Sequence, residues 1–152
     1  MVLLDPDGRI FLMQARDPAD ASKGAWWEIP GGGIDHGESS SEAAKRELYE
    51  ETGIETAEIG PCIWVQHVEF DFGGWHFDQD EFIHVAWADG GHYDPQGLEL
   101  LEDLAFTAGR WWSFDELNAS DIRLLPPRLR EHLPPILAGD LPLTPLDIGL
   151  SA

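Results

Sequence analysis

The sequence predicts an α/β domain, and three observations carry that prediction. A turn-forming Asp5-Pro6-Asp7-Gly8 separates two apolar runs close to the N-terminus. A helix with capping signals at both ends occupies Ser39 to Gly53, and two long aromatic and β-branched runs meet at Gly73-Gly74. Strands before and after a strongly signalled helix are the pattern of a sheet packed on helices.

The first run, Val2–Leu4, and the second, Arg9–Ala15, read as a hairpin of mostly buried strands around the Pro-Asp-Gly turn. Residues 16–25 are polar loop, Trp26-Trp27-Glu28-Ile29 is a short strand, and Pro30-Gly31-Gly32-Gly33 breaks it into a flexible elbow. Ser39 with Glu42 forms a capping box, and Gly53 supplies the left-handed residue that ends the helix. Glu58–Phe72 and Trp75–Ala88 form a hairpin whose two-residue turn sets Phe72 against Trp75, Phe70 against Phe77 and Glu69 against Asp78. That last pair joins like charges and needs solvent or a cation to relieve it. Residues 89–108 are a polar connection with a short helix around Leu98–Leu104, and Arg110-Trp111-Trp112 resumes strand character. Ser113 and Glu116 repeat the capping box, and Leu129, Leu133, Ile136 and Leu137 share one face of a final helix that Pro134-Pro135 should kink or divide.

At 152 residues the chain suits one domain with a real core and is short for two. Residues 1–139 are read as that domain, and the Pro-punctuated 140–152 as a tail packed on the surface or disordered. The fractions of hydrophobic (43%) and charged (25%) residues exclude wholesale disorder. Against 29 Asp and Glu stand 9 Lys and Arg, for a net charge of -20, so no basic stripe exists to hold a nucleic-acid polymer. An anionic substrate would need a cationic mediator, for which a divalent metal is the natural choice. Cys62 is the only cysteine, which rules out an intrachain disulfide and fits a reducing cytosol. The apolar run Met1–Leu4 is too short for a signal peptide or a membrane span, so a cytoplasmic location without membrane contact is expected. Strand character so close to residue 1 also suggests that natural residues precede it.

Glu47, Glu50 and Glu51 follow the spacing i, i+3, i+4, which gathers three carboxylates on one helix face. At about 4 Å, each pair would repel by about 1 kcal/mol in water and roughly 4 at an effective dielectric of 20. A divalent cation removes that conflict; solvated Glu-rich faces are common, and the spacing alone does not decide. The glycine elbow in front tips the balance, because Gly31-Gly32-Gly33 lets backbone approach the same point.

Taken together, Gly32, Glu38, Arg46-Glu47-Leu48, Glu50-Glu51 and Gly53-Ile54, at the spacing in which they stand, resemble the signature of the Nudix hydrolases without a departure. The match spans residues 32–54, and Trp27-Glu28-Ile29-Pro30-Gly31 and Arg110-Trp111-Trp112-Ser113 are similar to the family's surroundings. The resemblance implies an α/β/α sandwich around a mixed sheet, with a loop-helix-loop motif holding Mg²⁺ or Mn²⁺. It implies cleavage of a phosphoanhydride in a small nucleoside-diphosphate-linked substrate. Glu47, Glu50 and Glu51 would be metal ligands, with the Gly31 carbonyl as a further one. Arg46 would orient these carboxylates, and Glu38 would anchor the loop through Arg46. Gly32 and Gly53 would be structural members of the motif.

The base that deprotonates water varies in the family; Glu47 is the candidate within the motif and Glu102 the leading one outside it, ahead of Glu99 and Glu81. Arg16, at a strand end near the motif, is the candidate for a substrate phosphate. Trp26, Trp64, Phe70, Phe72 and Trp75 could stack a nucleobase, although core packing and cross-strand pairing compete for them. His67, Glu69, His76, Asp78 and Asp80 could form a second metal site, against which stands the ordinary polarity of surface ribbons. Exposed hairpin aromatics could serve a homodimer. The rival of the hydrolase reading is a non-catalytic nucleotide-binding sensor on the same fold, since fold alone does not guarantee activity.

Overall fold

The computed structural model describes residues 1–149. Val2–Leu4 (β1) and Ile10–Arg16 (β2) pair antiparallel, with Leu4 opposite Ile10, and Ala25–Glu28 (β3) pairs antiparallel to β2. Ser40–Thr52 (α1) follows the glycine elbow. Glu58–Phe72 (β4) and Trp75–Trp87 (β5) form a long hairpin, and Leu100–Ala105 (α2) leads directly into Phe106–Trp112 (β6). Phe114–Ala119 (α3), Leu124–Leu125 (β7), Leu129–Leu137 (α4) and Leu146–Asp147 (β8) complete the order. The eight strands make one mixed sheet, β7-β3-β2-β1-β5-β4-β8, with β6 joined to β2. β1 runs parallel to β5 with Val2 opposite Val85.

Period-2 alternation divides the core between the two faces of this sheet. Val2, Leu4, Ile10, Leu12, Ile83 and Val85 pack with Leu117 of α3 and Leu129, Leu133 and Ile136 of α4. Leu3, Phe11, Met13 and Ala86 pack on the other side with Leu48 and Ile54 of the α1 segment. Helices on both faces give the α/β/α sandwich that the sequence resemblance implied.

α1 is capped as its sequence requires. Ser39 Oγ accepts the Glu42 amide at 3.1 Å and the Glu42 carboxylate accepts the Ser39 amide at 3.4 Å. Gly53 closes the helix at φ 78°, and a Cβ there would lie 2.3 Å from the Asp94 carbonyl oxygen. His84, buried on β5, bonds Ser40 Oγ and the Gly60 carbonyl, both at 2.8 Å, which fixes the start of α1 against the sheet.

The β4–β5 register is the expected one, with Phe72 opposite Trp75, Phe70 opposite Phe77 and Glu69 opposite Asp78. Imidazoles relieve the like-charge pair: His76 Nε2 lies 2.9 Å from Glu69 and His67 Nε2 2.9 Å from Asp78. Phe72 makes its aromatic contact with Trp26 rather than with Trp75, at 6.2 Å between ring centroids.

Two expectations are revised. The strand assigned to Arg110–Trp112 begins at Phe106, because Ala108, Gly109 and Arg110 also pair with β2. Pro134 and Pro135 lie inside an uninterrupted α4. Of the two alternatives for the segment after Gly139, its described part is packed: β8 runs parallel to β4 at the sheet edge and Ile148 is buried. Positions 150–152 of that segment lie outside the described residues. Among the described residues, no helix is long and apolar enough to cross a membrane.

Candidate active site

Glu47 and Glu51 project from the buried face of α1, and Glu102 arrives from the first turn of α2. One carboxylate oxygen from each lies within 4.8 Å of the other two. Glu51 Oε2 accepts the Gly31 amide at 3.0 Å, whereas Oε1 is buried with no hydrogen-bond partner among the described residues. A buried carboxylate oxygen without a donor costs about 1 to 3 kcal/mol or more, so the arrangement has room for a cationic partner. The elbow fits tightly: a Cβ on Gly32 would fall 2.3 Å from Glu47 Cδ. Burial, followed by the charge of Glu102, raises the Glu51 carboxyl well above its ordinary range. Burial also raises Glu47, against the opposing pull of Arg46.

Arg46 organises the rim. Its Nε and Nη2 grip Glu38 at 2.8 and 2.9 Å, and Nη2 donates to the Gly33 carbonyl at 2.8 Å. Its Nη1 donates to Glu47 Oε1 at 2.9 Å and to Glu50 Oε2 at 3.1 Å. The fork on Glu38 holds that carboxyl down at about 2. Glu50, expected beside Glu47 and Glu51, is therefore paired with Arg46, and Glu102 takes the third place in the cluster. The donor set is three hard carboxylate oxygens, which suits Mg²⁺ or Mn²⁺ and not a soft metal.

Other expected residues separate clearly. Arg16 ends β2 exposed, and no ion pair to it is found among the described residues. Trp26 is 5% exposed: Phe72 meets its edge, the Arg123 guanidinium lies 5.2 Å from its ring centroid, and its indole N–H donates to Glu28. Its contacts are thus internal. Gly31 presents its amide to Glu51. Gly53 shapes the end of α1. Glu99 caps α2, while Glu81 on β5 accepts from Gln66 at 2.6 Å and Gln79 at 3.0 Å.

Glu28 is the residue that sequence reading missed. Burial and the charges of Glu81 and Glu102 push its carboxyl up to about 7. Its signal was the position next to Trp26-Trp27 in a strand, two residues before the glycine elbow.

A sandwich whose glycine elbow and capped helix bring acidic side chains to one buried point defines a class of hydrolytic proteins, and comparison agrees. The family model of the NUDIX domain matches residues 1–137, and the chain belongs to that family. It is 32% identical over 129 residues to an RNA pyrophosphohydrolase of Caulobacter vibrioides, covering 76% of this chain and 70% of the relative. It is 31% identical over 86 residues to an 8-oxo-dGTP diphosphatase of Proteus vulgaris, covering 57% and 72%. The E. coli dihydroneopterin triphosphate pyrophosphohydrolase structure superposes with a TM-score of 0.60 at 17% identity, covering 91% of this chain and 92% of that one, a likeness of fold. The protein is a Nudix hydrolase.

Proposed function

We propose that this protein hydrolyses a phosphoanhydride bond in a small nucleoside-diphosphate-linked substrate, with a divalent cation held by Glu47, Glu51 and Glu102. The observation that carries the reading is the buried, partly unpartnered carboxylate cluster formed by α1 and α2. Glu50 adds a carboxylate at the rim, where Arg46 holds it. Bound Mg²⁺ or Mn²⁺ would neutralise the charge that grows on the bridging oxygens and lower the pKa of a bound water.

The chain's own groups supply the remainder. Arg46 fixes Glu47 through Nη1 and fixes the elbow through Gly33, so the carboxylates meet the diphosphate already oriented. Glu47 and Glu102, whose carboxylate oxygens meet at the cluster, are the groups able to take the proton of the attacking water. Arg16, exposed at the end of β2, is assigned to a substrate phosphate.

One relative's name points to RNA and another's to a nucleotide. The excess of acidic residues and the lack of a basic stripe favour the small substrate, since a polyanion would meet a net charge of -20. The test is a panel of nucleoside triphosphates, nucleoside diphosphates, nucleotide sugars and 5′-triphosphate RNA, assayed with and without Mg²⁺. Metal-dependent release of phosphate, pyrophosphate or nucleoside monophosphate from a small nucleotide is expected. Turnover of RNA alone would overturn the substrate class, and equal turnover in chelator would overturn the role of metal.

A further inference from the structure

The β4–β5 hairpin has two unlike faces. Its register places Gln66 opposite Glu81, Val68 opposite Gln79, Phe70 opposite Phe77 and Phe72 opposite Trp75, and alternation puts these eight side chains on one side. The other side carries His67, Glu69, Asp71, His76, Asp78, Asp80 and Phe82. There each imidazole already has a carboxylate on both ring nitrogens: Asp80 and Asp78 on His67, Asp71 and Glu69 on His76. That charged face is internally satisfied. The aromatic and amide face is not. The Phe70 and Phe77 rings lie nearly parallel, 15° apart with centroids at 5.1 Å, and Phe70 is 40% exposed. Glu81 accepts one N–H from each of Gln66 and Gln79, which leaves the amide oxygens and second N–H groups to bond elsewhere.

This face is continuous with the carboxylate site. Phe72 touches Trp26 of β3, and the Trp26 indole N–H donates to Glu28. Glu28 lies three residues before Gly31, whose amide is bonded to Glu51, and Leu101 beside Glu102 in α2 packs on the hairpin turn. The tip is held in place, with Asp17 accepting the Gly73 amide at 2.9 Å, Lys23 donating to the Asp71 carbonyl at 2.6 Å, and the Leu101 side chain against Gly73. From Glu81 to Phe77 the strand extends about 13 Å at ~3.3 Å per residue.

We propose that this face receives the base of the nucleotide, which stacks on the Phe70–Phe77 pair while the Gln79 amide bonds its edge. This rests on the reading above for the phosphate end, which lies at Glu47, Glu51 and Glu102. Parallel rings beside unspent amides match a planar heterocycle with a hydrogen-bonding edge. A second copy of the chain is a poorer occupant, since it would bring a net charge of -20 against another -20.

The experiment measures binding of the four nucleoside monophosphates and of ribose 5-phosphate, none of which has an anhydride to cleave. In the unaltered protein at least one monophosphate should bind about tenfold or more tighter than the baseless control, as base stacking permits. Phe77→Leu and Phe70→Leu, which keep apolar bulk, should each remove most of that difference. Gln79→Leu should change the ranking of the bases, and Phe82→Leu, on the opposite face, should change nothing. Ribose 5-phosphate binding as tightly as every monophosphate would overturn the proposal. So would unchanged monophosphate binding in Phe77→Leu, including the case where that variant instead shifts a dimer to monomer. If base-dependent binding behaves as expected but no anhydride is cleaved, the hydrolase substrate reading fails and the platform stands.

Discussion

Glu51 Oε2 accepts the Gly31 amide at 3.0 Å, so one carboxylate joins the last turn of α1 to the elbow twenty residues earlier while its other oxygen has no partner among the described residues. Glu51→Gln keeps an oxygen for the Gly31 amide and removes the charge. Activity should fall on the order of a thousandfold, since several kcal/mol of charge stabilisation depend on the cluster. In chelator the same variant should melt at a higher temperature than the parent, because one of three crowded like charges is gone. A melting curve that drops alongside activity would mark Glu51 as structural.

Metal and pH should act together on stability. Glu51 and Glu28 have carboxyls raised above the ordinary 4.5, Glu28 to about 7. Between those values the folded chain holds protons that the unfolded chain has released, so the contribution of these groups weakens as pH rises through that window. Without metal, the melting temperature should decline from about pH 5 to about pH 8, and added Mg²⁺ should raise it more at the upper end. Thermal melts at both pH values, with and without Mg²⁺, check this.

Gly32→Ala places a methyl 2.3 Å from Glu47 Cδ. The obstacle is the end of a flexible side chain, so the fold should survive while Glu47 is pushed from its place. Mg²⁺ affinity should weaken by roughly 10- to 100-fold, the usual effect of disturbing ligand support. Calorimetric titration with Mg²⁺ reads it, and unaltered affinity would show that the elbow does not set the position of Glu47.

Asp17 links the β2–β3 turn to the hairpin tip through the Gly73 amide and also takes Lys23 Nζ and the Ala19 amide. Its bond to Lys23 holds the carboxyl down at about 2. The link should thus be fully present above the ordinary 3.8 and fade as pH falls toward about 2. Asp17→Ala should speed hydrogen exchange at Gly73 by about tenfold or more, as local opening becomes easier, with little change in β1.

Much of this molecule is legible from local sequence. Ser39, Glu42 and Gly53 carry the ends of α1 in their own side chains and backbone freedom, and Gly73-Gly74 dictates the hairpin register. The third carboxylate was identifiable as a residue, Glu102, though not as a neighbour of Glu51, because 51 residues separate them and only tertiary packing joins them. Glu50 satisfied the helical spacing yet turned to Arg46, an ion pair that periodicity does not rank against a metal. Trp26 could be read as either a stacking surface or core, and burial between Phe72 and Arg123 decided for packing. β7 and β8 are two residues each, too short for alternation to announce.

The connection before α2 is seated on the C-terminal end of α1. Asp94 donates its amide to the Thr52 carbonyl, and Gln96 and Gly97 both donate to the Glu50 carbonyl, at 2.9 to 3.0 Å. The spacer between that anchorage and Glu102 therefore works as a ruler. Inserting one residue after Gly97 would lengthen the connection ahead of α2 and slacken the hold of that anchorage on the third acid, leaving the motif itself letter-perfect. Chemistry in such a domain can be retuned by spacer length alone, without touching the stretch by which its kin are recognised.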